Sequence, residues 1–71
     1  MSDYYKFGNV QVIDISRHLT GNGAQALQYV ARSCRLDGNN KGATFKQIDD
    51  LKKARDFIDN EIERLKEVTN G

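Results

Sequence analysis

The sequence predicts an all-α fold: a small three-helix domain of 71 residues with a long C-terminal helix, expected to self-associate. Three observations predict it. From Thr44 onward, Ile48, Leu51, Ala54, Ile58, Ile62 and Leu65 recur at spacings of three and four, the mark of an amphipathic helix. In residues 21–35, GNGAQALQYVARSCR, a turn of about 100° per residue gathers Leu27, Val30, Ala31 and Cys34 on one side and Gln25, Gln28, Arg32 and Arg35 on the other. The one segment that alternates like a strand has no second convincing strand to pair with, and an isolated strand cannot satisfy its own backbone groups.

Residues 1–9 carry Tyr4, Tyr5 and Phe7 ahead of Gly8-Asn9. Three aromatic rings this close are costly to leave in water, so the arm is expected to pack on the helices or on a neighbouring subunit. Across 10–19, Val10 and Val12, then Ile13 and Ile15, alternate like a strand, whereas Val12, Ile15, Ser16 and Leu19 have helical spacing. A short helix over 10–20 is the favoured reading, with Arg17 and His18 in its last turn, where positive charge suits the helix dipole. Thr20-Gly21-Asn22-Gly23 then breaks the chain. Gly21 is expected to close the first helix in a left-handed conformation, and Asn22 to cap the second, with Gln25 completing a capping box. The central helix is expected over 23–36.

Asp37-Gly38-Asn39-Asn40-Lys41-Gly42 reads as a polar turn. Its superficial likeness to a calcium loop fails, because Lys41 stands at the fifth position and Ile48 at the twelfth, where oxygen ligands belong. Exposed amides beside Lys41 could still touch a phosphate, although a plain helix connector explains the loop as well. Thr44 with Gln47 forms a second capping box and opens the last helix, expected over 44–68. At 1.5 Å per residue that is roughly 37 Å, more than a globule of this size needs. Its C-terminal half is therefore expected to pair with another copy through Phe57, Ile58, Ile62 and Leu65, with Tyr4, Tyr5 and Phe7 contributing. Phe57 lies off the centre of the apolar stripe; it is either a contact between copies or a flank residue covered by the aromatic arm.

Composition bounds the rest. A chain this short buries only roughly 60% of its unfolded surface and usually needs a disulfide, a metal or self-association. One cysteine excludes an intrachain disulfide, and one histidine leaves too few ligands for a protein-built zinc site, so a homo-oligomer is expected by elimination. There is no basic region followed by a long apolar run, so neither a signal peptide nor a membrane span is expected, and the chain reads as cytoplasmic. The net charge of +1 argues against nucleic acid or anionic membrane as a bulk partner. Charge is nevertheless uneven: residues 32–55 hold seven basic and three acidic side chains, and residues 56–71 hold two basic and five acidic. This suits a local anion site or a self-complementary packing surface.

No phosphate-binding loop, dinucleotide fingerprint or zinc-protease motif is present. Cys34 and His18 could form a nucleophile pair, but Cys34 falls in the apolar stripe and is expected to be a small core residue. Asp49, Asp50, Asp56 and Asp59 could position magnesium. Asp49 and Asp50, however, sit where a helix start favours negative charge, and Asp49 to Lys53 is an ordinary ion-pair spacing. No catalytic residue, metal or cofactor is assigned.

VIDISRHL, GNGAQALQYVARSCR and DDLKKARDFIDNEI resemble the three blocks of a family of short, mostly phage-encoded proteins of unknown function, with the pattern VIDvi, GNaiKYiaR and DLkKAiwYLe. The resemblance spans about residues 10–63. Some relatives are described as phage nucleotide kinases lacking the usual phosphate loop, which implies a link to nucleotides and to an infected bacterial host. Asn22, Tyr29, Arg32, Asp50, Leu51, Lys53 and Ala54 match the family pattern; Gln28 stands where it usually has lysine, and Arg35 where lysine is common. The expected function is thus a non-catalytic phage-type protein that binds a small phosphorylated ligand, a nucleotide or nucleotide signal, and sequesters it against host defence. Arg32, Arg35, Lys41 and Lys53 would contact phosphate and Tyr29 would stack on the base, with Gln28 and Asn22 nearby. Two alternatives stand beside it. One is a nucleoside monophosphate kinase-like enzyme using magnesium, and the other is a protein-binding module that inhibits a host protein.

Overall fold

The computed structural model describes residues 3–40 and 42–70. A single turn of tight helix, Asp3–Tyr5, leads into two strands, β1 (Lys6–Phe7) and β2 (Val10–Gln11). Three helices follow: α1 (Val12–Ser16), α2 (Gly21–Ser33) and α3 (Thr44–Asn70). The molecule is mostly helical with a long C-terminal helix, but it is not purely α. β1 and β2 pair antiparallel, Lys6 across from Gln11 and Phe7 across from Val10. Gly8 and Asn9 form the two-residue turn between them, with Gly8 at φ 62°, the position at which a tight hairpin of this length calls for glycine.

That hairpin shortens the helix expected over 10–20. The backbone of Val10 and Gln11 goes to β1, so helix begins only at Val12, where the amide of Gln11 donates to Asp14 Oδ2 at 2.8 Å. After Ser16 the chain tightens through Arg17 and His18, whose amides reach the Ile13 and Ile15 carbonyls. The cap of α2 is Thr20, not Asn22: Thr20 Oγ1 accepts from the Gly23 amide at 3.2 Å. Gly21 is the first helical residue and does not have positive φ. At its other end α2 stops three residues short of the expected boundary. The side chain of Asn40 there accepts from the Arg35 amide (2.8 Å) and donates to the Arg35 carbonyl (3.2 Å), a local competitor to helical bonding. Thr44 is the first residue of α3, and the Ala43 carbonyl receives the amides of Lys46 and Gln47.

α2 and α3 form an antiparallel helical hairpin. Its register is fixed at one end by Thr20 and Asn22 against Glu61, and at the other by Arg32 and Ser33 against Asp50. In that register Ala26 lies level with Phe57, and Tyr29 with Ala54, so a small residue faces a large one in each middle layer. Ala26 and Ala54 are buried, and the Tyr29 and Phe57 rings stack with centroids 5.9 Å apart. Val12 completes the buried apolar set among the described residues. The other side of α2, including Leu27 and Ala31, carries the strand hairpin and α1 around a cleft lined by Phe7, Val10, Val12 and Ile15.

Both apolar stripes are placed differently from expectation. α3 turns Gln47, Asp50, Ala54, Phe57 and Glu61 toward α2, and leaves Ile48, Leu51, Ile58, Ile62 and Leu65 between 40% and 50% exposed. On α2, Val30 is exposed and Ser33 is buried, and Cys34, just past the helix end, is exposed. Periodicity located the helices correctly but not the direction in which they face their neighbours. No helix among the described residues is long and apolar enough to cross a membrane.

Candidate functional site

The ion pair between α2 and α3 is the most highly organised polar feature of the molecule. Arg32 lies in the last turn of α2, one residue before its end, and Asp50 lies in the second turn of α3, on the face Ala54 shares. Arg32 Nε and Nη2 donate to the two carboxylate oxygens of Asp50, both at 2.9 Å, in the bidentate geometry that makes such pairs strong. Ser33 Oγ donates to the same carboxylate at 3.1 Å, and Arg32 Nη1 donates to the Tyr5 hydroxyl at 3.1 Å. The Arg32 guanidinium also lies 4.6 Å from the centre of the Tyr29 ring. The hydrogen bond from Arg32 holds the Asp50 carboxyl below the usual carboxylate range, in spite of burial, and the same bond raises the Arg32 pKa.

A cleft of 230 Å³ opens beside this pair, lined by Arg32, Lys46, Asp49, Asp50 and Lys53. Lys46, Asp49, Asp50 and Lys53 stand at i, i+3, i+4 and i+7 on the first turns of α3, so one face of the helix presents them all. Lys53 Nζ is 5.8 Å from the centre of the Tyr29 ring. Neither Lys46 nor Lys53 makes a salt bridge among the described residues. The cleft therefore has two cations to offer an anion, one carboxylate opposing them in Asp49, and a neutralised pair at its back.

The structure thus brings together Tyr29, Arg32 and Lys53 of the residues expected to bind ligand, and separates the others. Arg35 is directed away from the cleft: its guanidinium stacks 4.1 Å over the Phe7 ring and pairs with Asp37 at 2.7 Å. Gln28 lines a different and larger cleft of 430 Å³ between α1 and α2, with Tyr5, Val12, Ile13, Ser16, Ala24 and Gln25. Asn22 is at the far end of the hairpin, donating to Glu61. Lys41 lies outside the described residues. The Tyr29 ring is engaged by Phe57, Arg32 and Lys53, so a base would have to displace one of them to stack there. Lys46 is a lining residue the sequence reading missed, although its spacing to Asp49, Asp50 and Lys53 was legible as one helical face.

Compared with family models, characterised proteins and solved structures, the chain matches none. The site stands on its own geometry.

Of the residues expected at a contact between copies, Ile58, Ile62 and Leu65 are exposed, as such a role requires. Phe57 is not: it is half-buried, with its ring stacked on Tyr29 of α2. Tyr5 is committed to Arg32, and Phe7 lies under Arg35.

Glu61 forms the second polar anchor of the hairpin. Its carboxylate accepts from Thr20 Oγ1 at 2.6 Å, from Asn22, and from Arg64 at 2.7 and 3.0 Å. These bonds, that of Arg64 foremost, lower its pKa to about 2. Asp50 and Glu61 are thus both depressed in the fold relative to unfolded values near 4. Each contributes stability that is complete above about pH 5 and is lost as pH falls toward 2, because the unfolded chain then binds protons the fold excludes. Helix content followed by circular dichroism is expected to stay flat from pH 7 to about 5 and to fall between about pH 4 and 2. The fall should be shallower in Glu61→Gln, and an acid transition unchanged in that variant would contradict the assignment.

Proposed function

We propose that the chain is a self-associating, non-catalytic binding protein for a small phosphorylated ligand, with the cleft between the start of α3 and the end of α2 as its anion site. The observation that carries this reading is the placement of Lys46 and Lys53 around a cleft whose remaining cation, Arg32, is already fixed by Asp50. Two ammonium groups with no salt-bridge partner among the described residues, beside the neutralised Arg32–Asp50 pair, suit a phosphate, which Lys contacts as a point charge without needing planar geometry. Arg32 acts here through position: it holds Tyr29 and Asp50 in place. The resemblance of the three sequence blocks to a phage family linked to nucleotides supports a nucleotide as the phosphate carrier and sequestration in an infected bacterium as its purpose.

Isothermal titration with inorganic phosphate and with mono-, cyclic and oligonucleotides tests the proposal. Binding is expected for at least one nucleotide and should weaken about tenfold in Lys46→Ala and in Lys53→Ala, as for loss of one charge-assisted hydrogen bond each. No heat from any of these ligands at millimolar concentration, or affinity unchanged in both variants, would overturn it. Arg32→Ala is unsuited to this purpose because it also removes a structural tie between the two helices.

The kinase-like alternative is less well served. It needs a carboxylate for magnesium, and Asp50 has both oxygens engaged by Arg32 and Ser33, leaving Asp49. The protein-binding alternative draws on one observation, the exposed apolar face of α3; of the aromatic residues that could add to it, Tyr5 is held by Arg32 and Phe57 by Tyr29, and Phe7 is exposed beneath the Arg35 guanidinium.

A further inference from the structure

The apolar face that α3 leaves uncovered has a period of its own. Ile48, Leu51, Arg55, Ile58, Ile62, Leu65 and Thr69 alternate at steps of three and four through the helix, the seven-residue repeat of a left-handed coiled-coil seam. It is a second seam, displaced by one residue from the Gln47, Asp50, Ala54, Phe57 and Glu61 row that meets α2. Its five isoleucines and leucines are 40–50% exposed, and the end of the seam is hollowed by a shallow groove along Ile62, Leu65, Lys66 and Thr69.

The size of the surface indicates how large a covering partner is. The chain exposes 5147 Å²; a folded monomer of 8.1 kDa is expected to expose about 4,500 Å². The excess, about 650 Å², approaches the ~800 Å² that each partner of a stable pair contributes. The molecule is also only 17 Å across its shortest axis, against 43 Å along its longest.

We infer that the seam binds a second copy of α3 in antiparallel orientation. Charge decides the occupant and the direction. With Arg55 of each copy level with the partner's Ile58, Ile48 meets the partner's Leu65 and Leu51 meets the partner's Ile62, so four of the five large apolar seam residues gain an apolar partner and Ile58 lies against the aliphatic stem of the partner's Arg55. The flanking positions then set Lys52 beside the partner's Asp59, twice by symmetry, and Lys66 beside the partner's Phe45, which is 65% exposed in the single chain. A parallel pair would put Arg55 against Arg55 in the middle of the seam, a like-charge contact with no carboxylate across from it. The antiparallel pair makes four helices with α2 on the adjoining faces, the geometry of a small bundle.

This inference rests on the self-association in the proposed function and not on the ligand. Native mass spectrometry of the full chain at 10–100 µM is expected to give twice 8.1 kDa. Ile62→Asp is expected to raise the dissociation constant at least a hundredfold. In a Cys34→Ser background, Lys52→Cys and Asp59→Cys chains mixed with a short bis-maleimide should crosslink to each other at least tenfold more than either does to itself. This arm does not depend on the folding of the aspartate variant. A monomeric wild type would overturn both self-association and the pairing. A dimer that survives Ile62→Asp, or one in which Lys52→Cys crosslinks chiefly to itself, would overturn the antiparallel seam while leaving self-association and ligand binding standing.

Discussion

Asp50→Ala is expected to lose about 3 kcal/mol, most of the stability a 71-residue chain can hold. Asp50 is only 7% exposed and receives three hydrogen bonds, two from Arg32 and one from Ser33. Removing its carboxylate strands the Arg32 guanidinium against the Tyr29 ring with its charge uncompensated, and leaves the Ser33 hydroxyl without its acceptor. The deletion therefore costs more than the pair contributes, since the cost is that of a desolvated charge left alone. Arg32→Ala should lose a comparable amount. Arg32→Met with Asp50→Leu should lose clearly less than the two single losses added together, because no charge is then left unpaired. Urea unfolding at one fixed protein concentration measures all three. An Asp50→Ala variant within 0.5 kcal/mol of the parent would show that the pair is only a surface decoration.

The same pair marks the point at which the sequence stopped being legible. Arg32 was singled out from its position beside Tyr29, and Asp50 from its position at a helix start, but each was weighed within its own helix. Which residues of α3 meet which of α2 depends on how the two helices rotate about their axes. The clearest apolar stripe pointed to the wrong rotation, because a stripe records what must be covered and not by which chain. Ile58, Ile62 and Leu65 were legible as an apolar stripe, and the single chain leaves them exposed; Ala54, read as part of that stripe, belongs to the α2 contact instead. The hairpin was missed for a different reason. Two-residue strands are too short to display alternation, and only the Gly8-Asn9 turn between them carried a signal. Helix boundaries shifted wherever a side chain competed for the backbone, as Asn40 does at Arg35. Thr20 displaced Asn22 as a cap because its hydroxyl both accepts from Gly23 and donates to Glu61, which leaves Asn22 inside the helix to reach the same carboxylate.

Ala54→Leu separates the two faces of α3 experimentally. Ala54 is 3% exposed and lies level with Tyr29, where α2 approaches closely. Leucine has nearly the helix propensity of alanine, so α3 as an isolated helix is unaffected, and any loss comes from packing. Three added carbons have no free volume to enter. They either force Tyr29 off its stack with Phe57 or push α2 outward and stretch the Arg32–Asp50 bonds. Overpacking of this kind costs about 2 kcal/mol, which lowers the melting temperature of a domain this small by roughly 10 °C. The contact is within one chain, so the loss should be the same at 10 µM and at 100 µM relative to the parent. If the opposite face pairs with a second copy as proposed, Ile62→Ala should instead destabilise in a way that depends on concentration, because it would weaken that association. Thermal unfolding of both variants at the two concentrations reads the difference directly. If Ala54→Leu melts within about 2 °C of the parent, then α2 does not lie on this face of α3 and the helical hairpin is wrongly rotated.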